Sequence, residues 1–135
     1  MISSTRLAVA THIVSVLASR RGEFVKSQYI AGSVNTNASF VRRILCSLTR
    51  AGIVEAEKGK SGGSRLVKCP SELTLWDLAL ALGEERLFAM HENPVNQRCP
   101  ISRGIKTALG KAFAGIEDAA HVQMKRVNLK DLLPA

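Results

Sequence analysis

The segment from Ser27 to Arg65 constrains the fold more than any other part of this 135-residue chain. Its apolar spacing and turn residues predict a helix, a polar turn, a helix with a basic outer face, and then a glycine-rich β-hairpin. That order is typical of a winged helix-turn-helix. Such a unit places its second helix in the major groove of DNA. We therefore predict a mainly helical DNA-binding protein with one small β-hairpin.

Apolar residues that recur every three or four positions predict three helices in the first half of the chain. The first covers residues 4–20. The second begins with Ser27 as its N-cap and ends at Asn35, and the third covers residues 38–51. The turn between them suits a left-handed backbone, and its last residue, Asn37, can cap the third helix. The predicted inward face of the third helix comprises Val41, Ile44, Leu45 and Leu48.

The wing is predicted from two short runs, residues 53–57 and 65–67, which are interpreted as β-strands joined by a tip at residues 58–64. Lysines and glycines dominate that tip. Glycine permits close backbone approach, and cations suit the negative potential of the minor groove. Because the glycines lack the order GxxxxGK[ST] and no helix follows them, the tip is not predicted to be a nucleotide-hydrolysing loop.

The third helix and the wing supply most of the predicted DNA contacts. Side chains near the N-terminal end of such a helix reach base edges, and arginine binds guanine through two hydrogen bonds. Of Arg42 and Arg43, one is expected to read a base and the other to bind a phosphate. The full predicted DNA-binding set is Ser27, Asn37, Ser39, Phe40, Arg42, Arg43, Lys58, Lys60, Ser61, Gly62, Gly63 and Arg65.

The charge distribution separates two halves of the chain. Residues 1–70 carry 11 Lys/Arg against 3 Asp/Glu, whereas residues 71–135 carry 8 of each. All of the +8 net charge therefore lies in the half that holds the predicted helix-turn-helix and wing. This asymmetry favours a nucleic-acid-binding module joined to a part with another role.

The second half is predicted to contain a short helix, a polar loop and one long helix. Thr74 is expected to cap the short helix and Gly83 to end it. Residues 86–90 fit either an extended segment or a helical turn, and residues 91–100 form the polar loop. The long helix covers residues 101–127.

One apolar stripe on the long helix suits burial in a dimer, and it would also suit an amphipathic ligand. The dimer is the preferred interpretation. We predict a winged-helix DNA-binding domain at residues 1–83, followed by a connecting loop and dimerisation helix at residues 84–135. The stripe comprises Ile105, Leu109, Phe113, Ile116, Ala120 and Met124.

Composition and cysteine usage indicate the class of protein. No apolar run approaches the roughly 18 residues of a membrane span, so a cytoplasmic protein with no membrane partner is expected. Cys46, Cys69 and Cys99 are odd in number and widely spaced, which disfavours a disulfide framework. No acid and base pair, nucleophile arrangement or cofactor motif indicates an enzyme.

A set of short motifs extends through the first half of the chain: residues 41–45 (VRRIL), Leu48, residues 51–54 (AGIV), Gly59 with Gly62-Gly63, and Arg65-Leu66. Together they resemble the bacterial Rrf2 family of winged-helix transcription regulators. Known members regulate iron–sulfur cluster assembly, the nitric-oxide response and cysteine metabolism. The resemblance implies a homodimer whose long C-terminal helices cross, a palindromic DNA site, and repression more often than activation.

Two features of the sequence depart from the family pattern. Ser64 stands after the wing glycines, where an aromatic residue is common in the family. Members that bind an iron–sulfur cluster carry three closely spaced cysteines before the long helix, whereas this chain has only Cys99 there. Because cluster ligands are thiolates, one local cysteine does not suffice. We predict no cluster, no metal and no other cofactor.

Cys99 is nevertheless a candidate redox sensor. It precedes the long helix and lies close in sequence to Arg98 and Arg103, and both a helix N-terminus and neighbouring cations favour the reactive thiolate. The alternative is a small capping or packing residue. His91 with Cys99 is compatible with a Cys/His metal site shared across a dimer, but two ligands per chain in a loop are weak evidence for one, and none is predicted. The sequence does not identify the effector, whether a small molecule or a redox signal.

Two functions from different classes are consistent with these patterns. The preferred one is a homodimeric, sequence-specific DNA-binding transcription regulator, with double-stranded DNA as its partner. The alternative is a winged-helix module that binds RNA or a protein without sequence-specific DNA recognition.

Overall fold

The structure, a computed structural model, describes residues 4–134 and confirms the predicted fold class. A mainly helical chain carries one antiparallel hairpin and a long C-terminal helix. The elements are α1 (Arg6–Ser19), α2 (Ser27–Val34), α3 (Ala38–Arg50), β1 (Val54–Glu57), β2 (Gly63–Leu66), α4 (Leu75–Leu82), α5 (Pro100–Arg126) and α6 (Leu129–Leu132). No helix within residues 4–134 is long and apolar enough to cross a membrane.

The turn between α2 and α3 forms as its asparagines predict. Asn35 adopts the left-handed conformation (φ 64°), and it is the one non-glycine residue among residues 4–134 with a positive φ. The Asn37 side chain accepts a hydrogen bond of 2.8 Å from the Phe40 amide and so caps α3. These two local bonding patterns fix the angle at which α3 leaves α2.

The predicted N-cap of α2 is wrong by one residue. Lys26 occupies the cap position with an extended backbone, and Ser27 is the first helical residue. The reason is tertiary: Val25 pairs with Ser64 of β2 through two backbone hydrogen bonds of 2.8 and 2.9 Å. This pairing holds the backbone extended up to Lys26, so the helix begins directly after it.

The C-terminus of α3 connects this helix to the hairpin. The helix ends at Arg50, one residue before the predicted end. Gly52 takes the left-handed conformation (φ 75°), and its amide bonds the Thr49 carbonyl at 3.0 Å, while the Ile53 amide bonds the Leu48 carbonyl at 3.0 Å. This Schellman arrangement satisfies the last carbonyls of α3 and turns the chain into β1.

The hairpin differs from its prediction in the second strand. β1 and β2 pair in register with Val54 opposite Leu66 and Glu57 opposite Gly63. The second strand therefore starts at Gly63, not at residue 65, and the tip is shortened to residues 58–62. Pairing of Ser64 with the segment before α2 extends the strand towards the tip.

The core lies between α1, α3, α4 and the inner face of the hairpin. α6 also contributes to the core, because Leu129 is only 2% exposed. The Leu129 amide bonds the Leu73 carbonyl at 2.8 Å, and the Leu75 amide bonds the Val127 carbonyl at 3.0 Å. The end of the long helix is thereby fixed to the winged-helix core.

The long helix α5 has no buried residue along its 27 positions. One side of it contacts the rest of its own chain. The Phe113 ring stacks on Phe88 with centroids 4.7 Å apart, and Glu117 Oε1 accepts bonds from the amides of Leu87 and Phe88 at 3.3 and 3.1 Å. Residues 86–90 therefore lie along α5 without regular secondary structure, instead of forming a helical turn.

Trp76 and His121 join α4 to α5. Their ring centroids are 4.2 Å apart, and the His121 Nε2 atom lies 2.6 Å from the Glu85 carbonyl oxygen. The Lys125 ammonium lies 5.2 Å from the Trp76 ring centroid. These contacts anchor the second half of α5 against the short helix.

Candidate nucleic-acid interface

The face of α3 that points away from the core is polar and basic. Residues on an α-helix advance by about 100° each. Ser39, Arg43 and Cys46 therefore lie opposite the buried Val41 and Leu48, and all three are exposed. A helix that presents such a face to solvent can enter a major groove without losing its packing against the core.

The two arginines of α3 occupy different positions. The Arg43 guanidinium lies 5.6 Å from the centroid of the Phe40 ring, which itself packs against the core. Arg42 points to one side, towards the wing, and lines the groove between α3 and the hairpin. Phe40 is thus placed to orient Arg43.

That groove has a volume of about 740 Å³. Lys26, Arg42 and Arg50 line it together with Ser27. Sequence reasoning did not assign Lys26 or Arg50 to the site. Lys26 was detectable as a basic residue directly before a helix start, where a phosphate is favoured by the exposed amides.

The wing tip exposes Lys58, Lys60 and Ser61 to solvent. The structure places the two glycines that follow in a different role. A Cβ on Gly62 would lie 2.7 Å from the carbonyl carbon of Lys58, and a Cβ on Gly63 would lie 2.6 Å from the carbonyl carbon of Val25. Both glycines are therefore required by close approach of the protein's own backbone.

Arg65 makes its contacts within the protein. Its Nε atom donates to Glu55 Oε1 at 2.7 Å, and its terminal nitrogen donates to the same oxygen. The guanidinium lies 4.3 Å from the centroid of the Phe24 ring. Near it, the Lys26 ammonium donates a 2.6 Å bond to the carbonyl of Gly59 at the wing tip.

The three cysteines are free thiols in this chain. Cys99 is the N-cap residue of α5 and is partly buried, but its side chain makes no cap bond. The Arg103 guanidinium donates to the Gln97 carbonyl at 3.0 Å and is therefore engaged next to Cys99. Within residues 4–134, no group of three His, Cys, Asp or Glu side chains is arranged to hold a metal ion.

Cys69 has the thiol whose ionisation the structure perturbs. A hydrogen bond with the Ser71 hydroxyl, 3.2 Å away, lowers the pKa of Cys69, and Arg21 adds a smaller effect in the same direction. We expect Ser71→Ala to raise this pKa, so that alkylation of Cys69 by iodoacetamide near neutral pH becomes slower. Mass spectrometry of the alkylated peptides measures the rate, with exposed Cys46 as the internal control. An unchanged pH–rate profile for Cys69 would contradict this assignment.

The comparisons with known proteins agree with this geometry. The profile of the Rrf2 family, described as an iron-dependent transcriptional regulator, matches residues 3–135. YwnA of Bacillus subtilis (strain 168), named as an HTH-type transcriptional regulator, is 40% identical over 134 residues, which span 98% of this chain and 97% of YwnA.

Solved structures show the same architecture. One described as a DNA binding protein is 32% identical with a TM-score of 0.75, and the match covers 94% of this chain and 97% of that one. CymR, the global cysteine regulator of B. subtilis, shares the fold with a TM-score of 0.70 at 21% identity, covering 98% of this chain and 95% of CymR. The relatives are transcriptional regulators and not enzymes. With a winged helix, a basic exposed face on α3 and a family match along nearly its whole length, this chain belongs to the Rrf2 family of transcriptional regulators.

Proposed function

We propose that this regulator binds a palindromic DNA operator as a homodimer and acts as a repressor. The observation that carries the proposal is that one groove lined by basic residues separates α3 from the hairpin, and that the hairpin exposes Lys58 and Lys60 at its tip. A major-groove helix and a minor-groove wing then contact the same half-site. Acting on chromosomal DNA, the protein would work in the bacterial cytoplasm.

The proposed DNA contacts fall into two groups. Ser39 and Arg43 face outward from α3 and are assigned to base edges, because they lie opposite its core-facing side. Phosphate contacts are assigned to the positions at the margins of the groove, at the start of α2 and α3, and on the wing tip. These are Ser27, Asn37, Phe40, Arg42, Lys58, Lys60 and Ser61, with the backbone at Gly62 and Gly63 shaping the wing.

The dimer is proposed to form along α5. Ile101, Ile105 and Ile116 are exposed on this helix, being 70%, 41% and 52% accessible in the single chain. Ala108, Ala112 and Ala119 on the same side of the helix are also exposed, so the face is apolar and includes small side chains. Leu109, Ala120 and Met124 of the predicted stripe flank it half-buried, whereas Phe113 is stacked on Phe88 of its own chain.

The proposed domain division places DNA binding in residues 1–83 and the dimerisation helix in residues 84–135. The final helix α6 belongs to the core of the first unit through Leu129, so α5 is held at its far end by the DNA-binding domain. We propose that a change at the dimer face reaches the winged helix through this connection. A response to oxidation is proposed through Cys99, because a disulfide between protomers at the start of α5 would join the two long helices.

The assignment of the two arginines gives contrasting expectations. Arg43→Ala should weaken binding to the operator by about 1 to 3 kcal/mol and relax base preference at one position in each half-site. Arg42→Ala should weaken binding to all sequences alike and reduce the slope of log affinity against log salt by about one per protomer. Competition binding with single-base operator variants across a salt series measures both. If Arg42→Ala instead relaxed the base preference and Arg43→Ala reduced the salt slope, Arg42 would be the base contact and Arg43 the phosphate contact.

Selection of bound sequences from random duplex DNA, with reductant present, tests the proposal as a whole. Enrichment of an inverted repeat supports a dimeric, sequence-specific regulator, and repeating the selected binding assay with Cys99→Ser under oxidation tests the sensing role. Reporter expression in cells with and without the protein distinguishes repression from activation. Binding without any enriched sequence would overturn the proposal and favour an RNA- or protein-directed winged-helix module.

A further inference from the structure

The wing is the outer part of a three-stranded arrangement. Phe24, Val25 and Lys26 run antiparallel to β2, with Val25 paired to Ser64. β2 in turn pairs with β1, where Arg65 lies opposite Glu55. Because side chains alternate between the two faces of such a sheet, Phe24, Arg65 and Glu55 form one row on the face away from the core.

The Arg65 guanidinium occupies the centre of that row. Its edge donates two hydrogen bonds to Glu55, and its flat face covers the Phe24 ring at 4.3 Å. Carboxylate pairing and aromatic stacking are the two interactions for which the planar guanidinium is best suited. With both its edge and its face engaged, Arg65 is held across all three strands.

A second contact restrains the tip from the same segment. The Lys26 ammonium reaches from the start of α2 to the Gly59 carbonyl at 2.6 Å. The tip is therefore held at Gly59 by Lys26 and at the base of the hairpin by Arg65. Lys58 and Lys60 project from a loop that is fixed at both places.

We propose that Phe24, Glu55 and Arg65 form a wing clamp, in which Arg65 is a positioning residue and not a DNA contact. The inference rests on the proposed function, because it concerns how the wing meets DNA. Holding the wing in its binding geometry before the encounter avoids the entropy cost of ordering it in the complex. The clamp therefore determines how well Lys58 and Lys60 reach the minor groove.

A substitution of Glu55 tests this proposal, because the two possible roles of Arg65 predict opposite changes in DNA affinity. If Arg65 contacted DNA, Glu55 would compete for it, and Glu55→Gln would release Arg65 and strengthen binding. If Arg65 positions the wing, Glu55→Gln loosens the clamp and weakens binding. Glu57→Gln is the matched control, because it removes the same charge from the same strand, and Glu57 forms no ion pair within residues 4–134. The comparison between these two variants removes the general effect of deleting a negative charge near DNA.

The experiment measures affinity for a selected inverted-repeat duplex across a salt series, using the full chain. We expect Glu55→Gln to bind several-fold more weakly than Glu57→Gln, and Arg65→Met to bind several-fold more weakly than wild type with an unchanged salt slope. The double variant Glu55→Gln/Arg65→Met should be no weaker than Arg65→Met alone, since both changes open one clamp. The wing is expected to lie beside each half-site. Hydroxyl-radical protection of the DNA there should be reduced in Glu55→Gln and in Arg65→Met.

Other outcomes overturn the clamp. Tighter binding by Glu55→Gln than by Glu57→Gln, or a salt slope reduced by about one per protomer in Arg65→Met, would place Arg65 on a phosphate. Equal affinity of all variants and wild type would show that the row has no part in DNA binding. Thermal unfolding confirms that each variant is folded. Failure of the wild-type protein to bind any selected duplex would instead contradict the proposed function, so the two failures are distinguishable.

Discussion

Replacing Ile116 with glutamate is expected to leave the protein monomeric and to lower its affinity for an inverted-repeat duplex by at least about a hundredfold. Ile116 is 52% exposed in the single chain and belongs to the exposed apolar face of α5. A carboxylate in the proposed dimer interface would be desolvated without a partner. A monomer then binds only one half-site, and it loses the additional affinity that comes from two linked winged helices binding both half-sites.

Light scattering after size-exclusion chromatography measures the oligomeric state, and a gel-shift titration measures the DNA affinity. Thr107→Glu is the control, because Thr107 is exposed on the opposite side of the same helix. It should remain dimeric and bind as the wild type does. A dimeric Ile116→Glu protein with normal affinity would show that the protomers do not associate through this face.

Replacing Gly63 with alanine is expected to lower the free energy of unfolding by about 3 kcal/mol and the melting temperature by roughly 10 °C. Gly63 has a φ of 148°, which L-residues rarely adopt, and its added Cβ would lie 2.9 Å from the Val25 nitrogen and 2.6 Å from its carbonyl carbon. The atoms that the Cβ would meet are backbone atoms of Val25, so no flexible side chain can move away. The segment before α2 must separate from β2, so the wing should also lose its position.

Gly59→Ala is the matched comparison for this change. Gly59 also has a positive φ, 101°, but no atom lies within 4 Å of an added Cβ. Its variant should therefore be destabilised by backbone strain alone, by about 1 kcal/mol. Chemical denaturation monitored through Trp76 fluorescence measures both. Equal stability of the two alanine variants would contradict the close packing of β2 against Val25.

Local sequence patterns predicted those parts of the fold that depend on local bonds. Asn35 and Asn37 act within their own turn, and Thr74 forms a reciprocal capping arrangement with Asp77 three residues later. The inward face of α3 followed from its 3.6-residue period. Such features depend on neighbours in sequence, and the amino acids at those positions determine them.

Features that depend on distant pairing were not predictable in the same way. Ser27 is a good N-cap residue, but pairing between Val25 and Ser64 shifted the cap to Lys26. Arg65 looks like a wing cation in the sequence, and its engagement by Glu55 and Phe24 is visible only when the three strands are aligned. Ser27 and Arg65 have the chemistry expected of a cap and a wing cation, but tertiary contacts give each of them a different position or partner.

The long helix shows the same limit of sequence patterns. A single stripe from Ile105 to Met124 was predicted, but contact with the segment around Phe88 turns Phe113 towards its own chain. Ile101 and the exposed alanines then complete the outer face, and periodicity alone gave no reason to prefer them. The segment at residues 86–90 has no periodic pattern of its own, and its contact with α5 determines which part of the stripe remains exposed.

The most direct test compares the affinity of the wild-type protein for its selected inverted-repeat duplex with its affinity for a scrambled duplex of equal length and composition, over a range of salt. Sequence-specific regulators typically prefer their site by 10³ or more, with affinity that falls steeply as salt increases. We expect a preference of at least about 10³, with two protomers bound to each duplex. Equal affinity for the two duplexes at every salt concentration would contradict sequence-specific recognition by α3 and the wing.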